Sequence, residues 1–123
     1  MLSIISPLLT ILNQLKIYHW QTYSFAQHKS LDEAYGELSE LIDSFIETYQ
    51  GIFGRIKSSD GSFDFSLENV GDVNDILQKI DIWISYLKSF NEDEYLKNHS
   101  DLLNIRDEMM GTLNQLKYLL SLS

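Results

Sequence analysis

Five side chains in the N-terminal half of the chain have the types and spacing that bind metal ions: His19, His28, Asp32, Asp43 and Glu47. His28 and Asp32 are four residues apart, as are Asp43 and Glu47, so on a helix each pair stands one turn apart on a shared face. Imidazole nitrogens with carboxylate oxygens make a ligand set suited to iron, manganese or zinc. Each residue also has a simpler reading when taken singly. The three acids fit a solvated helix face, His19 a hydrogen-bonded histidine at the edge of a core, and His28 an exposed loop residue. Their combination is what points to metal chemistry.

Helices must position these groups. Ser6 and Pro7 form a start signal, with serine as cap and proline at the first helical position, for a helix from Pro7 to about Phe25. Leu8, Leu12 and Leu15 repeat at helical spacing, and His19 falls next on that stripe. A capping box at Ser30 and Glu33 opens a second helix, in which Leu31, Tyr35, Leu38, Ile42, Phe45, Tyr49, Ile52 and Ile56 alternate steps of four and three. It ends near Gly54 or Arg55. Asp32, Asp43 and Glu47 lie off that core line as an acidic stripe, and Gly36 and Ser39 share it, small enough to admit another helix or subunit.

The stretch from Lys57 to Asp72 is rich in Ser, Asp, Gly and Asn and reads as a connection, with Phe63, Phe65 and Leu67 expected to fold back onto the bundle. Asp72 is positioned to cap a third helix with core residues Ile76, Leu77, Ile80, Trp83, Ile84 and Leu87, reaching Phe90. Ile82 and Tyr86 form a second apolar strip suited to a subunit contact. Ser100 is expected to cap a fourth helix, buried along Leu102, Met109, Leu113, Leu116 and Leu120. The expected fold is therefore all-α, a four-helix bundle forming one domain over residues 1–123. Short outer links predict two antiparallel helix pairs. The middle link can extend to about 45 Å, against about 30 Å for a 20-residue helix, which permits a ferritin-like lengthwise crossover between helices two and three.

Composition excludes several classes. The chain has no cysteine, so disulfides, thiolate zinc sites and cysteine nucleophiles are ruled out. Its 18 acids against 9 bases give a net charge of −9, which disfavours a nucleic-acid partner. The apolar run from Met1 to Leu12 lacks the flanks of a signal peptide and is too short to span a bilayer, so a cytoplasmic protein without a membrane partner is expected. No Glu-x-x-His occurs, which argues against a di-iron centre within one bundle, and no glycine-rich phosphate loop is present. His99 reads as an exposed loop residue, and Met109 with Met110 as core filling.

The run Lys16-Ile17-Tyr18-His19-Trp20, followed by Phe25, His28, Asp32, Asp43 and Glu47, resembles the Dps family of ferritin-like mini-ferritins. The intervals His28 to Asp32, Asp32 to Asp43 and Asp43 to Glu47 match that family's pattern. The resemblance implies a ferroxidase centre shared across a two-fold axis, with His19, His28 and Asp32 of one subunit facing Asp43 and Glu47 of the other, and Trp20 beside them. It implies iron as the metal, possession of ferroxidase activity, and a homo-oligomer of at least two chains. This sequence departs from the pattern in three places: the interval from His19 to His28 is three residues shorter, Thr48 follows Glu47 where the family has arginine, and no Lys-rich tail for DNA is present. The chain is also similar to short ferritin-like proteins carried by phage genomes. A second reading, of a different class, is a ferritin-like bundle without metal chemistry that serves as a structural or protein-interaction module.

Overall fold

The computed structural model describes residues 3–122, leaving Met1 and Leu2 of the apolar N-terminal run, and Ser123, outside the described residues. It is all-helical: α1 spans Ile5–Gln21, α2 Phe25–Phe53, α3 Val73–Lys88 and α4 Ser100–Leu120, with a 3₁₀ turn at Ser89–Glu92. Among the described residues no helix is long and apolar enough to cross a membrane.

Helix starts differ from the sequence signals, for local reasons. The cap of α1 is Ile4, without a side-chain bond, and Pro7 sits at the third helical position. The first N–H groups of a helix have no intrahelical acceptor, so proline is tolerated there, and complete burial of Ile4 draws the helix back to include it. Helix α2 starts six residues before Leu31, because Ser24 Oγ accepts from the Gln27 N–H at 3.2 Å. The Ser30–Glu33 box lies inside a helix already formed. His99, and not Ser100, caps α4. Two signals hold as read: Asp72 and Asp75 exchange side-chain to backbone bonds at the start of α3, and Gly54 ends α2 with φ 90°, a left-handed conformation suited to glycine.

The core gathers Leu8, Ile11, Leu15 and Tyr18 of α1, Leu31, Leu38, Phe45 and Tyr49 of α2, Ile76, Ile80 and Leu87 of α3, and Leu102, Met109, Leu113 and Leu116 of α4. Each large apolar side chain so enclosed contributes roughly 1.5–3 kcal/mol of transfer free energy. A three-residue turn, Thr22 to Ser24, joins α1 and α2 as an antiparallel pair, with His19 beside His28 and Lys16 beside Asp32. Helix α4 is antiparallel to α2, through Phe53 with His99 and Glu37 with Thr112. It is likewise antiparallel to α3, through Leu87 with Arg106 and Asp81 with Lys117.

Side-chain amides fasten the connection between α2 and α3. Gln14, only 3% exposed, pairs with the Glu68 backbone twice: its Nε2 donates to the carbonyl and its Oε1 accepts from the N–H, both at 2.8 Å. Two turns on, Gln21 Oε1 accepts from the Val70 N–H and its Nε2 donates to Asn69 Oδ1, again at 2.8 Å. Glu68 also meets Lys79 of α3 at 3.0 Å. Ile56 and Val70 pack on the core, whereas Phe63, Phe65 and Leu67 stay about 40% exposed and do not enter it.

Arg106 is a buried cation with its donors satisfied: Leu87 carbonyl at 2.8 Å, Asn91 Oδ1 at 2.7 Å and Asp107 Oδ1 at 2.9 Å. The hydroxyls of Tyr49 and Tyr86, by contrast, are buried without a partner among the described residues. Burial, followed by the negative charge of Asp93, pushes both phenols above the ordinary tyrosine range. Removing such an orphan hydroxyl relieves a desolvation penalty. Tyr49→Phe and Tyr86→Phe are each expected to raise unfolding free energy by about 1 kcal/mol, seen as a higher urea midpoint at unchanged slope. A lowered midpoint would show that the hydroxyl is bonded in solution.

Candidate functional site

The early start of α2 places His28 in its first turn, directly across from His19 near the end of α1. The two imidazoles stack with centroids 3.7 Å apart and planes 20° from parallel. Each Nδ1 lies 2.7 Å from the other residue's carbonyl oxygen. A carbonyl only accepts, so both Nδ1 atoms carry a proton and donate, and in a neutral ring the Nε2 atom is the one with a free lone pair. This reciprocal clasp is the device by which metal-binding histidines are commonly oriented, with one ring nitrogen tied to a carbonyl and the other left to coordinate. It also answers the shortened interval between the histidines: the turn is three residues long and the rings meet directly.

Asp32, one turn beyond His28, brings its Oδ1 to 3.8 Å from His19 Nε2. The same oxygen takes the Lys16 ammonium at 3.2 Å, and Lys16 lies 4.2 Å above the Tyr35 ring and 6.0 Å from Trp20. Lys16 was not among the candidate ligands, yet it is the charged group closest to one of them. A lysine three residues before His19 on one helix face is the signal that would have placed it there.

Asp43 and Glu47 lie elsewhere. At 1.5 Å per residue Asp43 is about 16 Å and Glu47 about 22 Å further along α2 from Asp32, on nearly the same face. A hydrogen bond to Asp43, and then the charge of Asp43, raise the Glu47 carboxyl above its ordinary range, so the two acids are close enough to share a proton. Both are solvent-exposed. Asp43 also edges an apolar cleft of about 400 Å³ between α1 and α2, lined by Ile5, Leu8, Leu9, Leu12 and Ile46. The structure thus brings His19, His28 and Asp32 together and keeps Asp43 and Glu47 apart from them. Among the described residues no three His, Asp or Glu side chains of one chain converge to hold an ion.

Large aromatics frame the histidine corner. Trp20 is 67% exposed, Phe25 78%, and Tyr23 is fully exposed. Trp20 and Tyr23 flank a shallow cavity of about 690 Å³ that reaches Asn69 and Asp72. Its amides are already engaged, Gln21 with Asn69 and Val70, and Thr22 with Gln27.

The protein is, by class, a four-helix all-α chain with a histidine–carboxylate cluster at one helix corner and a carboxylate pair further along the same helix. It belongs to a family of unknown function, DUF5856, which matches residues 19–120, a span that includes all five candidate ligands. It is 31% identical over 105 residues to an uncharacterized 14.6 kDa protein from the mobD-ri intergenic region of Enterobacteria phage T4, a match covering 85% of this chain and 74% of that one. No solved structure matches the chain.

Proposed function

We propose that the chain is a ferritin-like, Dps-like iron-binding protein whose metal site lies between two copies, His19, His28 and Asp32 of one facing Asp43 and Glu47 of the other. The observation that carries this reading is the arrangement along α2. His28 with Glu47, Asp32 with Asp43, and Gly36 with Ser39 share one midpoint, between Glu37 and Leu38. Two α2 helices crossing antiparallel there bring each histidine end against the other copy's carboxylate end. Gly36 suits the crossing, since a Cβ there would meet nothing within 4 Å in its own chain. Two observations support the ferritin-like crossover: α2 and α3 both run antiparallel to α4, and the connection from Gly54 to Asp72 bonds first to Gln14 and then to Gln21, further along α1.

The donor set fits iron. Two imidazole lone pairs and three carboxylates hold ferrous iron as substrate, and anionic oxygens favour the ferric product once an external oxidant, dioxygen or peroxide, accepts the electron. In this chain the clasp ties each Nδ1 and would leave the two Nε2 atoms to coordinate, with Asp32 exchanging Lys16 for the ion. The Asp43–Glu47 pair, one helical turn apart, would chelate the ion from the other copy. One observation favours the second reading, a bundle without metal chemistry: Lys16 already neutralises Asp32, which is how a purely structural corner would be held.

Anaerobic calorimetry with ferrous iron, followed by absorbance on adding oxygen or peroxide, tests the proposal. Wild-type protein binds and oxidises iron. Asp43→Ala and His19→Ala lose at least about tenfold in affinity, the loss typical of removing a metal ligand or its support, while remaining folded by circular dichroism. Wild-type protein that binds no iron, or variants that bind it equally well, would leave the interaction-module reading.

A further inference from the structure

The segment Ser62-Phe63-Asp64-Phe65-Ser66-Leu67-Glu68 alternates polar and apolar residues with a period of two, the pattern of a half-covered strand. It has no strand partner. The backbone N–H and C=O groups from Phe63 to Leu67 make no hydrogen bond to another described residue, although Glu68 and Val70 just beyond them are firmly held. The segment is also drawn out. Phe63 and Asp64 share a cleft with Ser3 and Ser6 at the start of α1, while Glu68 sits on Gln14. From Ser6 to Gln14 a helix advances about 12 Å, and four residues from Asp64 to Glu68 cover that distance only when nearly extended, at about 3.3 Å each. In an extended segment Phe63, Phe65 and Leu67 fall on one side, and they are 39%, 42% and 40% exposed. An extended strand with an apolar row and unpaired backbone is a template for another strand.

Its charges select the partner. In an antiparallel pairing of two copies centred on Phe65, Phe63 faces Leu67, Asp64 faces Ser66 and Ser62 faces Glu68, so no acid opposes an acid despite the net charge of −9. Moving the centre to Ser66 sets Asp64 against Glu68. Moving it to Asp64 sets that residue against its own copy and Asp60 against Glu68. Directly opposed like charges destabilise a strand pair, so the register about Phe65 is favoured over both neighbours. We propose that Ser62–Glu68 is a self-recognition strand that joins two copies of this chain as an antiparallel ribbon centred on Phe65. It lies against the side of α1 carrying Gln14 and Gln21, about 140° or more around the helix from Lys16, and therefore does not use the face proposed for iron. It does not rest on the iron reading.

The absence of cysteine allows a direct test. Opposed residues of an antiparallel pair have Cα atoms about 4.5–5.5 Å apart, within disulfide reach. Under mild oxidation at micromolar concentration, Phe65→Cys should form a covalent dimer of twice 14.3 kDa at least about tenfold faster than Asp64→Cys or Ser66→Cys alone. An equimolar mixture of Asp64→Cys and Ser66→Cys should cross-link where neither does alone. Equal linking by all three single variants, no linking by Phe65→Cys, or preferential self-linking by Asp64→Cys would overturn the proposal. Because Phe65 lies outside the core, Phe65→Asp should keep the helical spectrum and weaken association in sedimentation. Its iron titration should match wild type, which separates failure of the ribbon from failure of the iron site.

Discussion

Mixing His19→Ala protein with Asp43→Ala protein should restore iron binding that neither possesses alone. A two-fold dimer has two sites, each taking histidines from one chain and the Asp43–Glu47 pair from the other. A mixed dimer then holds one site with every ligand intact and one with both defects. With random exchange half of the dimers are mixed, so about a quarter of the wild-type capacity should return. A site within one chain would recover nothing. Gly36→Leu supplies the control: a Cβ there meets nothing within 4 Å in its own chain, and leucine favours helix over glycine, yet it fills the proposed crossing. Introduced into both proteins, it should abolish the restoration without lowering thermal stability. Restoration that persists with Gly36→Leu would place the contact elsewhere.

Arg106→Ala should be the most destabilising single substitution in the α3–α4 half. The guanidinium side chain is 5% exposed. Its loss removes donors from the Leu87 carbonyl in the last turn of α3 and from Asn91. Breaking a buried charged network costs about 3–5 kcal/mol, which is a large part of the stability of a domain this size. At about 1–3 kcal/mol per molar urea the midpoint should fall by at least about 1 M. Arg106→Met keeps the aliphatic stem and should recover only part of the loss. A fall below about 0.3 M for Arg106→Ala would mean that water replaces the guanidinium at no net cost.

The apolar periodicity made the four helices legible, because helical spacing is enforced wherever a face is buried: Leu38, Phe45, Ile80, Leu113 and Leu116 are core residues as their positions require. Helix starts were less legible because several Ser and Asp residues offer the same cap, and burial chooses among them. Ser24 displaced Ser30, and burial of Ile4 displaced the Ser6–Pro7 signal. That choice moved His28 from loop to helix and made the imidazole clasp possible. Residue types suggested the site, but its geometry depends on two carbonyl acceptors that no side-chain motif encodes. The role of Gln14 was likewise hidden, since a polar residue beside a leucine stripe announces a buried partner without saying which backbone supplies it. Phe63, Phe65 and Leu67 stay about 40% exposed and outside the buried core, a depth that hydrophobicity alone does not specify.

The two glutamine clamps divide the connection into unequal parts. Downstream of Leu67 little length is spare: Glu68 and Val70 are held to α1, Asp72 closes the α3 cap, and a side chain at Gly71 would collide with Asp75. Upstream, the turn at Ser58 to Ser62 is held mainly by Asp60 and is open to solvent. Lengthening a flexible loop is cheap, about 0.6 kcal/mol for each doubling, so extra residues near Ser59 can be absorbed there. One residue gained or lost between Glu68 and Asp72 has no such outlet and would pull either Val70 from Gln21 or Asp72 from its cap. The chain can thus accept an inserted tag or epitope on one side of Gln14 and not on the other.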